Sequence, residues 1–147
     1  MVNKIILVAL AIMLCSSAFC AGIDDVKEMA KGGSELSQSL LGLSYFHGHD
    51  VPQNYKEAVK WFRKAAEQGN SLALFMLGLA YRDGKGVPQN YKEAYFWLNL
   101  AASQDSSVAR QRDEVAAKLT PGKLEEVQAR CTKWLEDFEK RKRESLK

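Results

Sequence analysis

Residues 51–58 read VPQNYKEA, and residues 87–94 read VPQNYKEA again. The offset is 36 residues (87 minus 51), and it holds well outside the octapeptide. Upstream, Leu41-Gly42-Leu43 meets Leu77-Gly78-Leu79, Tyr45 meets Tyr81, and Gly48 meets Gly84. Downstream, Trp61 meets Trp97 and Ala65-Ala66 meets Ala101-Ala102. A fixed period of this length is the signature of tandem supersecondary units. The chain therefore carries two copies, bounded at 34–69 and 70–105.

Each copy reads as two helices joined by a loop. The first helix carries Leu40, Leu41 and Tyr45, or Met76, Leu77 and Tyr81, at spacings that keep them near one face. Gly48 and Gly84 stand where a left-handed residue stops a helix. Val51-Pro52 and Val87-Pro88 favour an extended turn. Asn54 and Asn90 then serve as N-caps, with Glu57 and Glu93 three residues on to complete capping boxes. The second helix presents Ala58, Trp61, Phe62 and Ala65, or Ala94, Trp97, Leu98 and Ala101. One such hairpin cannot bury its apolar face alone and needs neighbours on both sides. Residues 21–33 supply a capping helix in front, and residues 106–147 a longer helical cap behind, with Thr120-Pro121 as N-cap and N1 proline. The fold class expected is all-α, an α/α superhelix (solenoid) of stacked helix-turn-helix repeats.

The pattern Leu-Gly-x-x-Tyr, Gly-x-Gly-Val, Asn-Tyr-x-x-Ala, then Trp and Ala-Ala resembles the Sel-1-like repeat family, a relative of the tetratricopeptide repeats. Met76 to Ala102 is the clearer copy, with Gly84-x-Gly86-Val87 intact. In Leu40 to Gly69, Asp50 replaces the second loop glycine, and Asp105 stands where the first copy has Gly69. The resemblance implies an α/α superhelix whose concave side holds proteins or peptides. It also implies kinship with exported bacterial proteins of envelope processes and host interaction. Cysteine-rich relatives, with paired cysteines in each repeat, are linked to binding or hydrolysis of β-lactams. That enzyme is the alternative reading, and this chain lacks the repeat cysteines.

The N-terminus follows a different logic. Lys4 precedes an unbroken apolar run, Ile5 to Leu14, and the small residues Ser16, Ser17, Ala18 and Ala21 follow. That order matches a secretory signal peptide over residues 1–20. The run is shorter than the roughly 20 apolar residues that span a bilayer. Cleavage after Cys20 places Ala18 at −3, and cleavage after Ala18 places Ser16 there. The expected product is secreted or periplasmic, with no membrane insertion after cleavage. Cleavage after Cys20 leaves Cys131 alone, aligned with Leu124, Val127, Leu135 and Phe138 as a buried thiol.

A composition of 46% apolar and 27% charged residues is ordinary for a globular chain. A net charge of +3 gives no electrostatic footprint for nucleic acid. His47-Gly48-His49-Asp50 is the one local cluster with metal-ligand chemistry. The other copy has Asp83-Gly84-Lys85-Gly86 in that place, so a solvated loop is expected instead, with no metal and no cofactor. A Ser-His-Asp site needs a base held against the hydroxyl, the only histidines lie in that loop, and no catalytic residue is assigned. The chain is read as a monomeric, non-enzymatic scaffold for a protein or peptide partner. First-helix positions that differ between copies mark the contact surface, since packing positions repeat. Ser39 is set against Phe75, and Phe46 against Arg82. With Leu43 and Leu79, they make Phe75, Leu79, Arg82, Leu43 and Phe46 the expected binding groove.

Overall fold

The computed structural model describes residues 22–147. The expected signal-peptide segment and both expected cleavage sites lie outside the described residues. Among those described, helices follow one another without strands: α1 (Ile23–Lys31), α2 (Glu35–His47), α3 (Tyr55–Glu67), α4 (Ser71–Asp83) and α5 (Tyr91–Gln104). A 3₁₀ turn, Ser106–Val108, leads into the short α6 (Ala109–Ala116), and α7 (Pro121–Ser145) ends the chain.

The repeated octapeptide governs the loops. Gly48 (φ 76°) and Gly84 (φ 69°) end α2 and α4 in the left-handed conformation. The last carbonyls of a helix have no partner within it. Here the loop supplies them: Gln53 Nε2 donates to the Phe46 carbonyl at 2.9 Å, and Gln89 Nε2 to that of Arg82 at 2.7 Å. Asn54 N–H donates to the Tyr45 carbonyl and Asn90 N–H to that of Tyr81. Asn54 and Asn90 also cap the following helices, accepting from Glu57 N–H at 3.1 Å and Glu93 N–H at 3.2 Å. The expected capping boxes are thus half formed. Each Asn N–H is already given to the preceding helix, so Glu57 turns to Lys60 and Glu93 to Arg130. Thr120 precedes α7, but its side chain makes no capping bond. Asn70, the first residue of the second copy, caps α4 with its side chain, accepting from Ala73 N–H at 3.0 Å.

Small residues set the helix spacing. A Cβ on Gly42 would lie 2.6 Å from the Phe62 ring, and one on Gly78 2.5 Å from Leu98 Cγ. Two backbones therefore come within contact of one large side chain. Phe62, Leu74, Leu77 and Leu98 are fully buried between them, with Ala65, Ala66 and Ala101. At the front, Gln38 is buried and donates to the Ala30 carbonyl while accepting from Gln68 Nε2 at 2.8 Å. That amide chain ties α1 to the first hairpin. At the back, α5 packs against α6 and α7. Lys92 pairs with Glu126 at 2.8 Å, and Arg130 both pairs with Glu93 and lies 3.9 Å over the Phe96 ring. Together these contacts build an all-α solenoid of stacked hairpins.

Candidate functional site: the first-helix face

Helices α2 and α4 each leave one side apolar and uncovered. On α2, Leu36 is 61% exposed and Leu40 43%, with half-buried Leu43 a further turn along. On α4, Leu72 is 37% exposed, followed by half-buried Phe75 and Leu79. Spacings of three, four and seven residues place each set on one helical face. Leu36 and Leu72 stand one repeat period apart, as do Leu43 and Leu79.

The five expected groove residues are all half-buried, and Phe75 and Arg82 line different pockets. Leu43, Phe46, Phe75 and Leu79 pack against the core. Phe46 meets the Tyr55 ring edge-on at 5.0 Å and carries Lys85 Nζ 5.3 Å above it, so it belongs to the junction with the next loop. Phe75 lines a cavity of about 270 Å³ between α4 and the start of α6. Arg82 lines a separate cleft with Tyr91, Glu114 and Lys118. Its guanidinium grips Asp83 through two bonds, 2.6 and 3.1 Å, which hold the Asp83 carboxyl below the ordinary carboxylate range. Arg82 is thus already neutralised within its own helix. Ser39, the counterpart of Phe75, is fully buried with its hydroxyl on the Leu36 carbonyl.

The cavity beside Phe75 follows the repeat into the degenerate third hairpin. Its walls are pairs one period apart: Ser71 and Ser107, Leu72 and Val108, Phe75 and Gln111. Gln111 Oε1 is buried and finds no hydrogen-bond partner among the described residues. Asp105, at the edge, caps the 3₁₀ turn by accepting from Ser107 N–H at 2.9 Å, which lowers its pKa. Gln111, Leu36 and Leu72 did not stand out in the sequence, and Leu40, read there on one face with Leu41 and Tyr45, is exposed while Leu41 is buried. Counting 36 residues onward from Phe75 reaches Gln111, but nothing marks its environment.

The other candidate chemistries are placed as follows. His47, the last residue of α2, and His49, in the loop that follows, have ring centroids 5.8 Å apart, and both are exposed. Among the described residues no group of three or more His, Cys, Asp or Glu side chains is arranged to hold a metal. Cys131 is buried, its Sγ 3.7 Å from the Phe96 carbonyl, and burial pushes the thiol pKa up. No described helix is long and apolar enough to cross a membrane.

Residues 36–70 and 71–106 each match the family described as Sel1 repeat. The chain is a Sel1 repeat protein. Among solved structures it is similar to a protective antigen present in uropathogenic Escherichia coli strains and displaying an SLR fold, with 30% identity and a TM-score of 0.75. That match covers 79% of this chain and 25% of the antigen. It is also similar to a Sel1 repeat protein from Oxalobacter formigenes, with 37% identity, a TM-score of 0.59, and coverage of 61% and 37% respectively. The chain therefore spans only a quarter to just over a third of these relatives. No curated protein matches it. Sel1 repeat proteins are in general protein-interaction scaffolds.

Proposed function

We propose that this Sel1 repeat protein is an exported scaffold that holds a peptide or protein partner on the first-helix face, in the bacterial envelope or toward a host. The observation that carries the reading is the uncovered apolar stripe of Leu36, Leu40 and Leu72 beside Leu43, Phe75 and Leu79. Rows of apolar side chains left exposed at corresponding positions of two stacked hairpins mark an interaction face. The likeness to a protective antigen supports a destination outside the cytoplasm, as does the apolar run Ile5 to Leu14 after Lys4. Phe75, Leu79 and Leu43 serve as the floor of this surface and Arg82 and Phe46 as its far edge, with the chain acting as a monomer and without catalysis.

The test is a pull-down from envelope extract with the mature chain and two sets of variants. Leu40→Glu and Leu72→Glu, at exposed positions, leave the melting temperature nearly unchanged and release the partner. Lys64→Glu, on α3, leaves capture intact. Partner capture insensitive to both leucine substitutions rules this face out. Amino-terminal sequencing of the protein from periplasm and from medium checks export and separates the two destinations.

A further inference from the structure

The second helix of each copy carries a tryptophan, and the two copies surround it differently. On α5 the neighbours of Trp97 are Phe96 and Leu100, buried like it, and α7 packs on this helix. One period earlier, on α3, Lys60 and Lys64 take those two places and are exposed, and Trp61 is half-buried. An open cleft of about 520 Å³ lies there, with Val59, Trp61 and Val87 as its apolar lining. Lys56, Lys60, Arg63 and Lys64 border it, against two carboxylates, Glu57 and Glu67. Lys60 already holds Glu57. No carboxylate among the described residues pairs with Lys56, Arg63 or Lys64. Positive charge around an apolar strip selects an acidic occupant with apolar side chains of its own.

We propose that this face of α3 docks an acidic amphipathic helix of a partner protein. The apolar stripe of that helix lies on Val59, Trp61 and Val87, and its carboxylates meet Lys56, Lys60 and Lys64. The packing of α7 on α5 is the template. There Glu126 meets Lys92 and, one turn later, Arg130 meets Glu93. Lys56 and Glu57 repeat Lys92 and Glu93 on α3, so the first place again receives a carboxylate. The second place does not again receive a guanidinium, because Lys60 occupies the Glu57 carboxylate and adds a cation of its own. A helix with Glu at both places matches, which α7 itself does not. This surface shares no residue with the first-helix face and is a second docking site.

The probe is a fluorescein-labelled peptide, Leu-Glu-Glu-Leu-Ala-Glu-Glu in tandem duplicate, read by fluorescence anisotropy against the mature chain. Two control peptides replace every Glu by Lys or every Leu by Ala. The acidic amphipathic peptide is expected to bind, and each control to bind about tenfold more weakly or less. Lys60→Glu combined with Lys64→Glu, at exposed positions, leaves the melting temperature nearly unchanged. It weakens binding about tenfold or more, because two attractions become repulsions. The same charge change elsewhere, Lys140→Glu with Lys147→Glu, alters binding less than about twofold, since distant exposed charges are screened. No binding, equal binding of either control peptide, or equal loss from both double variants overturns the proposal. So does release of the peptide by Leu40→Glu or Leu72→Glu in place of the α3 variants. Phosphatidylglycerol vesicles that bind through the same lysines while the peptide does not also overturn it, in favour of an anionic membrane surface. Capture on the first-helix face is indifferent to Lys64→Glu, so failure here leaves the scaffold reading standing.

Discussion

Trp61 and Trp97 occupy the same place in the repeat and meet different surroundings. Trp97 is 5% exposed under α7, while Trp61 is only half-buried, with Lys64 Nζ 4.4 Å over its ring. Trp97→Ala is therefore expected to cost about 3–5 kcal/mol, as deletions of buried aromatics do. Trp61→Ala should cost nearer 1 kcal/mol, the middle of the range for single substitutions. Urea unfolding of both variants checks the pair, and equal losses would contradict the packing described. The period announced that both tryptophans matter to the fold. It carried no information about which of them has a helix stacked on its outer side, because that depends on a segment that does not repeat. Gly78 makes a sharper residue-scale case. Ala is favoured over Gly within a helix by about 1 kcal/mol, yet a Cβ here would sit 2.5 Å from Leu98 Cγ and 3.2 Å from its backbone nitrogen. Overpacking of this kind costs about 1–3 kcal/mol, so Gly78→Ala lowers the melting temperature despite its helical preference.

At the scale of the element, the octapeptide is a splice between two helices. Its Asn ends one and begins the next, and its Gln fills a carbonyl that the left-handed glycine leaves behind. Asn90 accepts from both Lys92 N–H and Glu93 N–H, so Asn90→Ala should cost about 1 kcal/mol, whereas Asn90→Asp should keep most of the stability. The two loops differ at one telling position. Asp50 has φ 60°, the sole positive φ outside glycine among the described residues, and its counterpart Gly86 has φ 75°. The first loop thus keeps the geometry of the second at the expense of strain in an L residue. Asp50→Gly relieves that strain but loosens the unfolded chain. A net gain of about 0.5 kcal/mol is expected, the part of the αL penalty left after that entropic offset. Gly86→Ala is expected to be destabilising, because its Cβ would lie 2.3 Å from the Tyr55 carbonyl oxygen. The left-handed ends at Gly48 and Gly84 and the caps at Asn54 and Asn90 were legible in the sequence, since glycine and asparagine act locally, whereas Thr120 makes no side-chain cap. The capping boxes were misread because a hydrogen bond to Tyr45 or Tyr81 in the preceding helix competes for the same N–H.

For the whole molecule, two carboxylates at the back of the stack bear on acid stability. The Lys92 ammonium holds Glu126 below the ordinary carboxylate range, and Arg82 does the same to Asp83. A carboxyl whose pKa is lowered by folding stabilises the folded state above its unfolded pKa of about 4 and loses that contribution as pH falls through the lower folded value. Thermal melts should therefore fall below about pH 4, with Glu126→Gln flattening the slope. The larger question at this scale is what closes the stack. The sequence marked residues 106–147 as a cap from their departure from the period. It did not reveal that α7 runs past its own hairpin, because no local pattern encodes where a long helix is aimed. In the structure Phe138 stacks on Trp134 at 5.0 Å and fills the space at Gly69, where a Cβ would lie 2.5 Å from its ring. Gln104 Nε2 donates to the Gly69 carbonyl beside it at 3.1 Å. The end of the first repeat is thus joined to the terminal helix, and a nearest-neighbour stack acquires a longer-range tie. Two truncations separate the roles. A chain ending at Lys140 loses only exposed residues and should melt close to the full chain. A chain ending at Thr120 uncovers Phe96 and Trp97 and removes the Phe138 contact, so both repeats should lose cooperative unfolding together and bind a hydrophobic dye. If the first repeat instead melted unchanged after that deletion, the terminal helix would stabilise only its immediate neighbour, and Phe138 would be a passive passenger at Gly69.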